Sequence, residues 1–257
     1  MTWRIAVAGA GTIGARVASE LDGGRVPGCE LVAVLDSSSS DAMTGEALRA
    51  ADLLVEASTT AAARVLLPRA LDAGLPVVVC SCGVLADRSV EQDLRRRGAV
   101  LGADVLVPAG AIGGLDILAA AYRAAAGATV RHTTTKAPAA LGVRTAPPGP
   151  DVVFRGSARE AALAFPRTSN SSVALALATA GLDAVEVVVV ADPGATSTRH
   201  RIELWSSVGR YDFAIDNSVS PSSGGRTSEI TAWSVVDLLE KLARCRGGAR
   251  GRRSVVP

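Results

Sequence analysis

Short apolar runs alternate with segments of helical periodicity through the first part of the chain. The apolar runs lie at 3–8, 29–36, 51–58, 76–83 and 99–108. Helical patterns separate them, as at 59–74, which ends at a glycine, and at 87–98. Strands that are almost continuously apolar and are separated by helices are typical of a parallel sheet covered on both faces. The sequence therefore predicts a doubly wound α/β domain over residues 1–108.

The pattern changes after Pro108, because strands and helices no longer follow one another in βαβ order. Alternating patterns at 198–207 and 209–216 predict a β-hairpin, and the stretch 137–151, rich in Pro, Gly and Ala, predicts a loop. A mixed or antiparallel sheet with helices on one face fits this arrangement. We therefore expect a second, α+β domain over 109–226.

The end of the chain is expected to form a helix and then a tail. An amphipathic pattern at 227–245 predicts a helix that packs back on the first domain. Residues 246–257 are rich in Arg and Gly and are predicted to be a disordered basic tail. The formal net charge is +2, and five arginines between 244 and 253 supply more than this excess. The body is therefore not basic, and nucleic acid is not expected as a partner.

The cysteines and the start of the chain argue against a zinc-binding, a secreted or a membrane-spanning protein. Cys29, Cys80, Cys82 and Cys245 show no zinc-type spacing with one another or with a histidine, so no metal site is predicted. No charged segment followed by an apolar h-region opens the chain, and no apolar run has membrane-spanning length. We expect a cytoplasmic protein with reduced thiols and no membrane partner.

A glycine motif, "GAGTIG", joins the first predicted strand to the first predicted helix. In this setting Gly9 permits a tight turn, Gly11 allows a pyrophosphate to approach the backbone, and Gly14 allows the helix to pack against the strand. The motif predicts a Rossmann-type fold that binds NAD, with NADP possible, at the helix N-terminus. The predicted cofactor-binding residues here and at the neighbouring strand ends are Gly9, Ala10, Gly11, Thr12, Ile13, Gly14, Asp36 and Ser58.

Asp36 ends the second predicted strand and favours NAD over NADP. A carboxylate at this place accepts hydrogen bonds from the ribose hydroxyls, whereas a 2′-phosphate would meet its negative charge. The next residues read "SSSS", and no arginine precedes Arg49 to receive such a phosphate. The alternative interpretation is that Asp36 is a turn residue after a strand.

Several motifs, in order along the chain, resemble the L-aspartate dehydrogenase family. They are "GAGTIG", "VPAGAIGGLD", "GSAREAALAFPR" with a following "SN", "VVVVADPG" with a following histidine, and "SPSSGGRTS". The resemblance spans nearly the whole chain, to about residue 245. It implies an NAD(P)-dependent oxidoreductase that reversibly deaminates L-aspartate to iminoaspartate, and so to oxaloacetate and ammonia, with a link to pyridine nucleotide biosynthesis. A homo-oligomer, such as a homodimer, is expected because a sheet with one uncovered face often pairs with a copy of itself.

The resemblance also implies roles for individual residues. His200, after the Asp-Pro turn, matches the catalytic histidine, while Ala111 and Asn170 match residues that bind the nicotinamide end of the cofactor. The chain departs from the family at Thr168, where the family has an additional asparagine. Spacing alone favours a half-exposed strand residue at His200, between Arg199 and Arg201, and it is the family resemblance that favours the catalytic role. His132 matches no motif and is interpreted as a strand residue.

A dicarboxylate substrate requires cations or hydroxyls in the site. The candidates are Lys136, Arg167, Arg199, Arg226, Thr227 and Ser228. Lys136 and Thr227 are the predicted substrate-binding residues. Two alternative functions stay open: a related NAD(P)-dependent oxidoreductase acting on another small acid or imine, and a dinucleotide-binding paralogue without activity.

Overall fold

The computed structural model describes residues 2–145, 148–220, 223, 225 and 227–248. Two compact units divide this part of the chain. The first contains the segment up to Ser81, Gln92–Pro108 and the residues from Ala232 onward; the second contains Cys82–Glu91 and Ala109–Thr231. The first unit thus differs from the predicted domain at 1–108, because residues 82–91 belong to the second unit. Of the predicted tail at 246–257, the part from 249 onward lies outside the described residues.

The first unit is built on a five-stranded parallel sheet with the strand order β2-β1-β3-β4-β5. Its elements in chain order are β1 (Trp3–Ala8), α1 (Thr12–Asp22), β2 (Cys29–Leu35), α2 (Asp41–Ala50), β3 (Leu53–Glu56), α3 (Thr60–Asp72), β4 (Val77–Val79), α4 (Arg88–Leu101, of which the part from Gln92 belongs to this unit) and β5 (Val105–Leu106). The predicted α/β class is confirmed. The strand order reverses between β1 and β3, and ligands of such sheets bind at the carboxyl ends of the strands beside this point.

The core of the first unit lies between the sheet and the C-terminal helix, Ile230–Gly248. Ile5, Val55 and Val78 of the sheet are fully buried, and the helix adds Val235 and Leu239 to the same cluster. Burial of such side chains is the main favourable contribution to folding. The helix begins at Ile230 and not at 227, and Ile230 itself is exposed.

Two helices of the first unit differ from the sequence-based expectation. Helix α2 does not follow from the sequence pattern described above, although the serines before it include its cap; Ser40 accepts a hydrogen bond from the Met43 amide at 3.2 Å. Helix α4 continues through Gly98, the predicted stop, to Leu101. A Cβ at Gly98 would lie 2.8 Å from the Ala103 carbonyl oxygen, so this glycine permits close packing and does not end the helix.

The second unit is built on a five-stranded mixed sheet with the strand order β10-β9-β6-β8-β7. After a 3₁₀ helix at Cys82–Ala86, its elements are α5 (Leu115–Ala124), β6 (Thr129–Lys136), α6 (Pro138–Leu141), β7 (Asp151–Ser157), α7 (Ala158–Ala164), α8 (Asn170–Ala178), β8 (Glu186–Ala191), β9 (Thr198–Ser206) and β10 (Gly209–Asn217). Strands β6 and β8 are parallel, and the other pairs are antiparallel. The predicted hairpin is β9-β10, and the predicted loop at 137–151 contains the short helix α6.

Strands β6 and β9 carry the polar residues of the second unit on one buried face. Along β6 every second residue is buried, so His132, Thr134 and Lys136 point to the same side of the sheet. Thr134 lies directly opposite His200 of β9 in the antiparallel register. Thr198 and His200 are buried on the same side, because they are separated by one exposed residue. The sheet therefore gathers five polar side chains from two strands.

Candidate active site

The glycines of the first unit have the geometry that a dinucleotide site requires. Gly9 has φ +111°, and a Cβ there would collide with the Ala57 carbonyl. A Cβ at Gly14 would collide with the Gly9 carbonyl, so this residue must be small for α1 to pack on the turn. At Gly11, by contrast, nothing lies within 4 Å of the Cβ position. The space beside Gly11, at the N-terminus of α1, fits a phosphate group.

Asp36 follows β2 as an exposed carboxylate held by two serines. Its Oδ1 accepts hydrogen bonds from the Ser38 amide at 2.8 Å and from the Ser38 hydroxyl at 2.6 Å. These bonds, with weaker ones from Ser39, lower the pKa of the Asp36 carboxyl, so it is ionised at neutral pH. The serines thus orient an anion at the end of β2, where the ribose end of a bound dinucleotide is recognised in such folds.

Glu56 ends β3 as a fully buried carboxyl group that the sequence analysis missed. Its Oε1 accepts hydrogen bonds from the Ser58 amide at 2.8 Å and hydroxyl at 2.7 Å, and its Oε2 accepts one from the Ser81 amide at 3.0 Å. Burial raises the pKa of Glu56, and these bonds oppose that shift. Glu56 therefore fixes Ser58, a predicted cofactor-binding residue, to the turn after β4. An acidic residue ending the apolar run "LLVE" was the available signal.

In the second unit, Ala111 lies in a loop that is tied to β10. The Ala111 carbonyl accepts a hydrogen bond from the side-chain amide of Asn217 at 2.7 Å, and Ala111 is buried. The loop ends at Gly114, which has φ +73° and caps α5. A Cβ at Gly114 would lie 2.6 Å from the Phe213 ring, so the loop is packed closely against the hairpin. Cofactor binding by Ala111 stays a prediction.

Asn170 is the first residue of α8 and holds the 3₁₀ helix at Cys82–Ala86. Its Oδ1 accepts a hydrogen bond from the Gly83 amide at 2.8 Å. At the departure from the family pattern, the Thr168 amide donates to the Phe165 carbonyl at 3.0 Å, which keeps the chain in a tight turn before α8. The side-chain oxygen of Asn170 is therefore bound within the second unit. Its side-chain nitrogen is the atom that we expect to contact the cofactor.

Arg159 explains why residues 82–91 belong to the second unit. Its guanidinium, which is almost fully buried, donates to the Ala86 carbonyl at 2.8 Å, to Glu91 at 3.0 Å and to Asp183 at 2.8 Å. Charge-assisted hydrogen bonds of a buried guanidinium are stronger than neutral ones and need fixed partners. The segment after Ser81 is thereby held to α7.

His200 is buried, with 3% of its surface exposed, and is not the half-exposed strand residue that its spacing also allowed. Its Nδ1 lies 3.0 Å from Nε2 of His132, and Nδ1 of His132 lies 2.9 Å from the Ser172 hydroxyl of α8. The bond to His132 thus uses Nδ1 of His200 and not Nε2. His132, which the sequence indicates only as a strand residue, thus contacts the candidate catalytic residue. Its position four residues before Lys136 in an alternating strand does indicate that both side chains share a face.

The ionisable groups of this buried face all have lowered pKa values. Burial, together with the charge of Lys136, lowers the pKa of His132 to about 4. Burial, together with the neighbouring His132 and Lys136, lowers the pKa of His200 well below its usual value. Burial also lowers the pKa of Lys136 to about 8. At neutral pH both imidazoles are therefore neutral, and Lys136 supplies the positive charge.

Two hydroxyls on this face lack partners. Among the described residues, Thr134 Oγ1 and Thr198 Oγ1 are buried without a hydrogen bond. A buried hydroxyl without a hydrogen-bond partner lowers the stability of the fold by about 1–3 kcal/mol. Such groups therefore usually bind water or a ligand. We call the five side chains His132, Thr134, Lys136, Thr198 and His200 the polar face. It offers a cation, hydroxyls and a neutral imidazole to a polar ligand.

Arg199 and Arg167, two of the other candidate cations, are exposed. Arg199 alternates to the opposite side of β9, where it is exposed and pairs with Asp192. Asp192 also accepts a hydrogen bond from the Gly194 amide at 2.9 Å, so it fixes the turn before β9. Arg167 is exposed, and Arg226 lies outside the described residues.

Thr227 lies in a turn that is closed by serines. Its amide donates to the Ser223 hydroxyl at 3.0 Å, and its carbonyl accepts from the Ser220 amide at 3.0 Å. Both contacts involve the backbone of Thr227, so substrate binding by its side chain stays a prediction.

The described part of the chain lacks two kinds of feature. None of its groups of His, Cys, Asp and Glu could hold a metal ion. None of its helices is long and apolar enough to cross a membrane.

Comparison with known sequences identifies relatives of both halves of the chain. Residues 116–242 match the family described as "Aspartate dehydrogenase, C-terminal", and residues 9–108 match "Homoserine dehydrogenase, NAD binding domain". L-aspartate dehydrogenase 2 of Bordetella pertussis is 36% identical over 95% of this chain and 98% of its own length. L-aspartate dehydrogenase of Methanosarcina acetivorans is 32% identical over 93% of this chain and 96% of its own.

Comparison with solved structures gives the same fold. The aspartate dehydrogenase of Thermotoga maritima superposes with a TM-score of 0.73 and 24% identity, over 100% of both chains. The homoserine dehydrogenase of Thermoplasma acidophilum superposes with a TM-score of 0.57 and 15% identity, over 95% of this chain and 100% of its own. At these identities the likeness is one of fold.

Proposed function

This chain belongs to the L-aspartate dehydrogenase family, and from that membership we propose that it deaminates L-aspartate oxidatively and reversibly with a nicotinamide dinucleotide. The products are iminoaspartate and then, after addition of water, oxaloacetate and ammonia. The observation that carries the proposal is the polar face, where the buried His200 shares one side of the sheet with Lys136 and with two hydroxyls that have no partner in the described part of the chain. A link to NAD biosynthesis stays a prediction from the family resemblance.

The first unit supports binding of the dinucleotide. The open space at Gly11, the close-packed Gly9 and Gly14, and the N-terminus of α1 fit a pyrophosphate. When bound, the nicotinamide supplies the acceptor for a hydride from Cα of the amino acid. We propose that Ala111 and Asn170 of the second unit bind the nicotinamide end.

We propose NAD as the preferred cofactor. The support is Asp36, which is ionised and held by serines at the end of β2. A ribose 2′-hydroxyl can donate to this carboxylate, whereas a 2′-phosphate would be repelled by it.

His200 is the proposed general base. Oxidation of the amine requires that the ammonium of the substrate lose a proton, and hydration of the imine requires that water lose one. A neutral imidazole with a lowered pKa accepts a proton at Nε2 and returns it in the reverse direction. Since the pKa of His200 is well below its usual value, the base is in its neutral form throughout the neutral range.

Lys136 is the proposed carboxylate-binding residue. Its pKa of about 8 leaves the ammonium mostly protonated at neutral pH. A bound carboxylate would raise this pKa, because an opposite charge nearby favours the charged form. The hydroxyls of Thr134 and Thr198, which lack partners among the described residues, can donate to the same carboxylate or to a neighbouring oxygen.

The deciding experiment measures NADH oxidation by the full chain with oxaloacetate and ammonium, beside a panel of other 2-oxo acids. We expect turnover that requires ammonium and prefers oxaloacetate. Preference for another acid would assign the chain to a different substrate. NADH binding without turnover of any acid would identify a paralogue without activity.

We also propose that the chain forms a homo-oligomer through the outer face of the second sheet. This face carries Thr133, Thr135 and Arg201, and an open groove of about 570 Å³ runs along it. An extended sheet face of this kind can pair with the same face of a second copy about a two-fold axis. Light scattering on the full chain is expected to give the mass of a dimer or tetramer, and a monomer mass at micromolar concentration would contradict the proposal.

A further inference from the structure

His132 stands behind His200 on the polar face, and the proposed function assigns it no role. Like Glu56 of the first unit, it is fully buried, with 0% of its surface exposed. Both of its ring nitrogens are occupied, one by His200 at 3.0 Å and the other by the Ser172 hydroxyl at 2.9 Å. A buried imidazole with two specific partners is a defined structural element and not a filler of space.

Only one proton can lie between Nε2 of His132 and Nδ1 of His200. If His132 donates it, His200 carries its own proton on Nε2 and cannot act as a base there. If His200 donates it, Nε2 of His200 keeps its lone pair, and His132 must carry its proton on Nδ1, which Ser172 can accept. The direction of this one hydrogen bond therefore decides which chemistry His200 can perform.

We propose that His132, held by Ser172, is a positioning residue that accepts the Nδ1 proton of His200 and so leaves Nε2 of His200 as the base. This inference rests on the proposed role of His200. When Nε2 takes a proton from the ammonium or from water, the positive charge on His200 is stabilised by the hydrogen bond from Nδ1 to the neutral ring of His132. No proton leaves the pair in this step, and the reverse reaction returns the same proton from Nε2.

The neutral state of His132 is essential to this role. A cationic His132 would have no lone pair on Nε2 and could only donate. Burial and the charge of Lys136 lower the pKa of His132 to about 4, so it is neutral where an aspartate dehydrogenase would work. Ser172, which is 1% exposed, restricts the orientation of the ring from the side of α8.

The first test reads the tautomers directly, without turnover. The chain contains two histidines, so ¹⁵N-histidine labelling of the full chain gives four imidazole nitrogen signals, and His132→Leu assigns those of His200. Near pH 7.5 we expect both rings to be neutral and protonated on Nδ1. Protonation of His200 on Nε2, or a cationic His132, would overturn the proposal even in an active enzyme.

The second test separates positioning from a merely structural role. His132→Leu should lower kcat roughly 10- to 100-fold, less than complete loss of the base, with little change in NADH affinity. In a His200→Ala background the same substitution should change the residual rate less than about twofold, because residues acting through one group are not additive. An equal loss in both backgrounds would assign His132 a structural role.

Two further variants provide the comparison. Ser172→Ala removes the acceptor of the His132 proton but keeps both rings, and we expect a smaller loss of kcat with a mixture of His132 tautomers. Val130→Ala removes buried volume two residues before His132 on the same face of β6 but no hydrogen-bonding group, and should leave the tautomers and the rate unchanged. If the His200→Ala variant kept its activity while the tautomers were as expected, His200 would not be the base, and the proposed role of His132 in catalysis would fail although the aspartate dehydrogenase activity would stand.

Discussion

The candidate cofactor site of the first unit is formed by backbone, whereas the polar face of the second unit is formed by side chains. In the first unit, Gly9 and Gly14 allow the turn and α1 to pack closely, and Gly11 leaves space for a ligand at the start of α1. In the second unit, residues from β6, β9 and α8, far apart in sequence, meet through hydrogen bonds of 2.9–3.0 Å. A site of backbone depends on local conformation, while a site of side chains depends on strand register and burial. The two sites should therefore respond differently to substitution.

The largest effect is expected at the chemical centre of the polar face. His200→Ala should lower kcat about 10²- to 10⁴-fold, because it removes general acid–base catalysis. Cofactor affinity should be unchanged, because the glycine turn of the first unit is left intact. Steady-state kinetics and NADH fluorescence titration check both parts. A variant that keeps more than about a tenth of the wild-type rate would contradict the assignment.

A matched pair of glycine substitutions breaks the backbone site in two different ways. Gly9→Ala should destabilise the fold by more than about 1 kcal/mol, because of its positive φ and the collision with Ala57. Gly11→Ala has space in the protein and should fold normally but bind NADH much more weakly. Thermal unfolding and NADH titration distinguish them. Equal stability of the two variants would show that the turn is not strained.

Lys136→Met tests the cation of the polar face. We expect the KM for aspartate and oxaloacetate to rise about 10- to 100-fold, since a charge-assisted hydrogen bond to the carboxylate is lost. Because the pKa of Lys136 is about 8, the free wild-type enzyme loses this charge as the pH rises through that value. Its KM should therefore increase above about pH 8. The variant should lack this increase. The same pH dependence of KM in both proteins would show that Lys136 does not bind the substrate carboxylate.

Asp36→Ala tests the one side chain on which the choice of cofactor rests. Removal of the carboxylate should reduce the preference for NAD over NADP by about tenfold, because the repulsion of the 2′-phosphate is lost. The ratio of kcat/KM for the two cofactors is the measurement. Ser38→Ala, which removes one hydrogen bond from the same carboxylate, should move the ratio in the same direction but less. An unchanged ratio in Asp36→Ala would remove Asp36 from this role.

The smallest effect is expected for Thr134→Val, where function and stability should move in opposite directions. The buried hydroxyl has no partner among the described residues, so a methyl group in its place should stabilise the protein by about 1 kcal/mol. The KM for the substrate should rise a few-fold, because the proposed donor is lost. Chemical denaturation and steady-state kinetics check these two effects. A loss of stability would show that the hydroxyl is already satisfied.

Local sequence was sufficient for much of the first unit. The glycine motif, the apolar strands and Asp36 are each defined by residues close together in the chain, and the predicted parallel sheet is confirmed. The errors were also local: Gly98 lies inside α4 because a close contact with Ala103 requires it, and the serines before α2 hold Asp36 and cap the helix.

In the second unit the sequence identified His200 and Lys136 as candidates, but not how they meet. Lys136 lies on β6 and His200 on β9. These strands pair in an antiparallel register that places Thr134 opposite His200. His132 and Ser172 carried no motif, so only their position next to His200 indicates a role.

The α/β class and the dinucleotide motif could be read from the sequence because they depend on periodicity and on residues near one another in the chain, and the family could be identified from its resemblance to motifs spread along the chain. The tertiary structure alone decided that His200 is buried, that His132 and Ser172 stand behind it, and that Glu56 holds Ser58 and Ser81. The physical reason is that burial and hydrogen bonding between distant strands set the charge of an imidazole. No local pattern encodes those contacts.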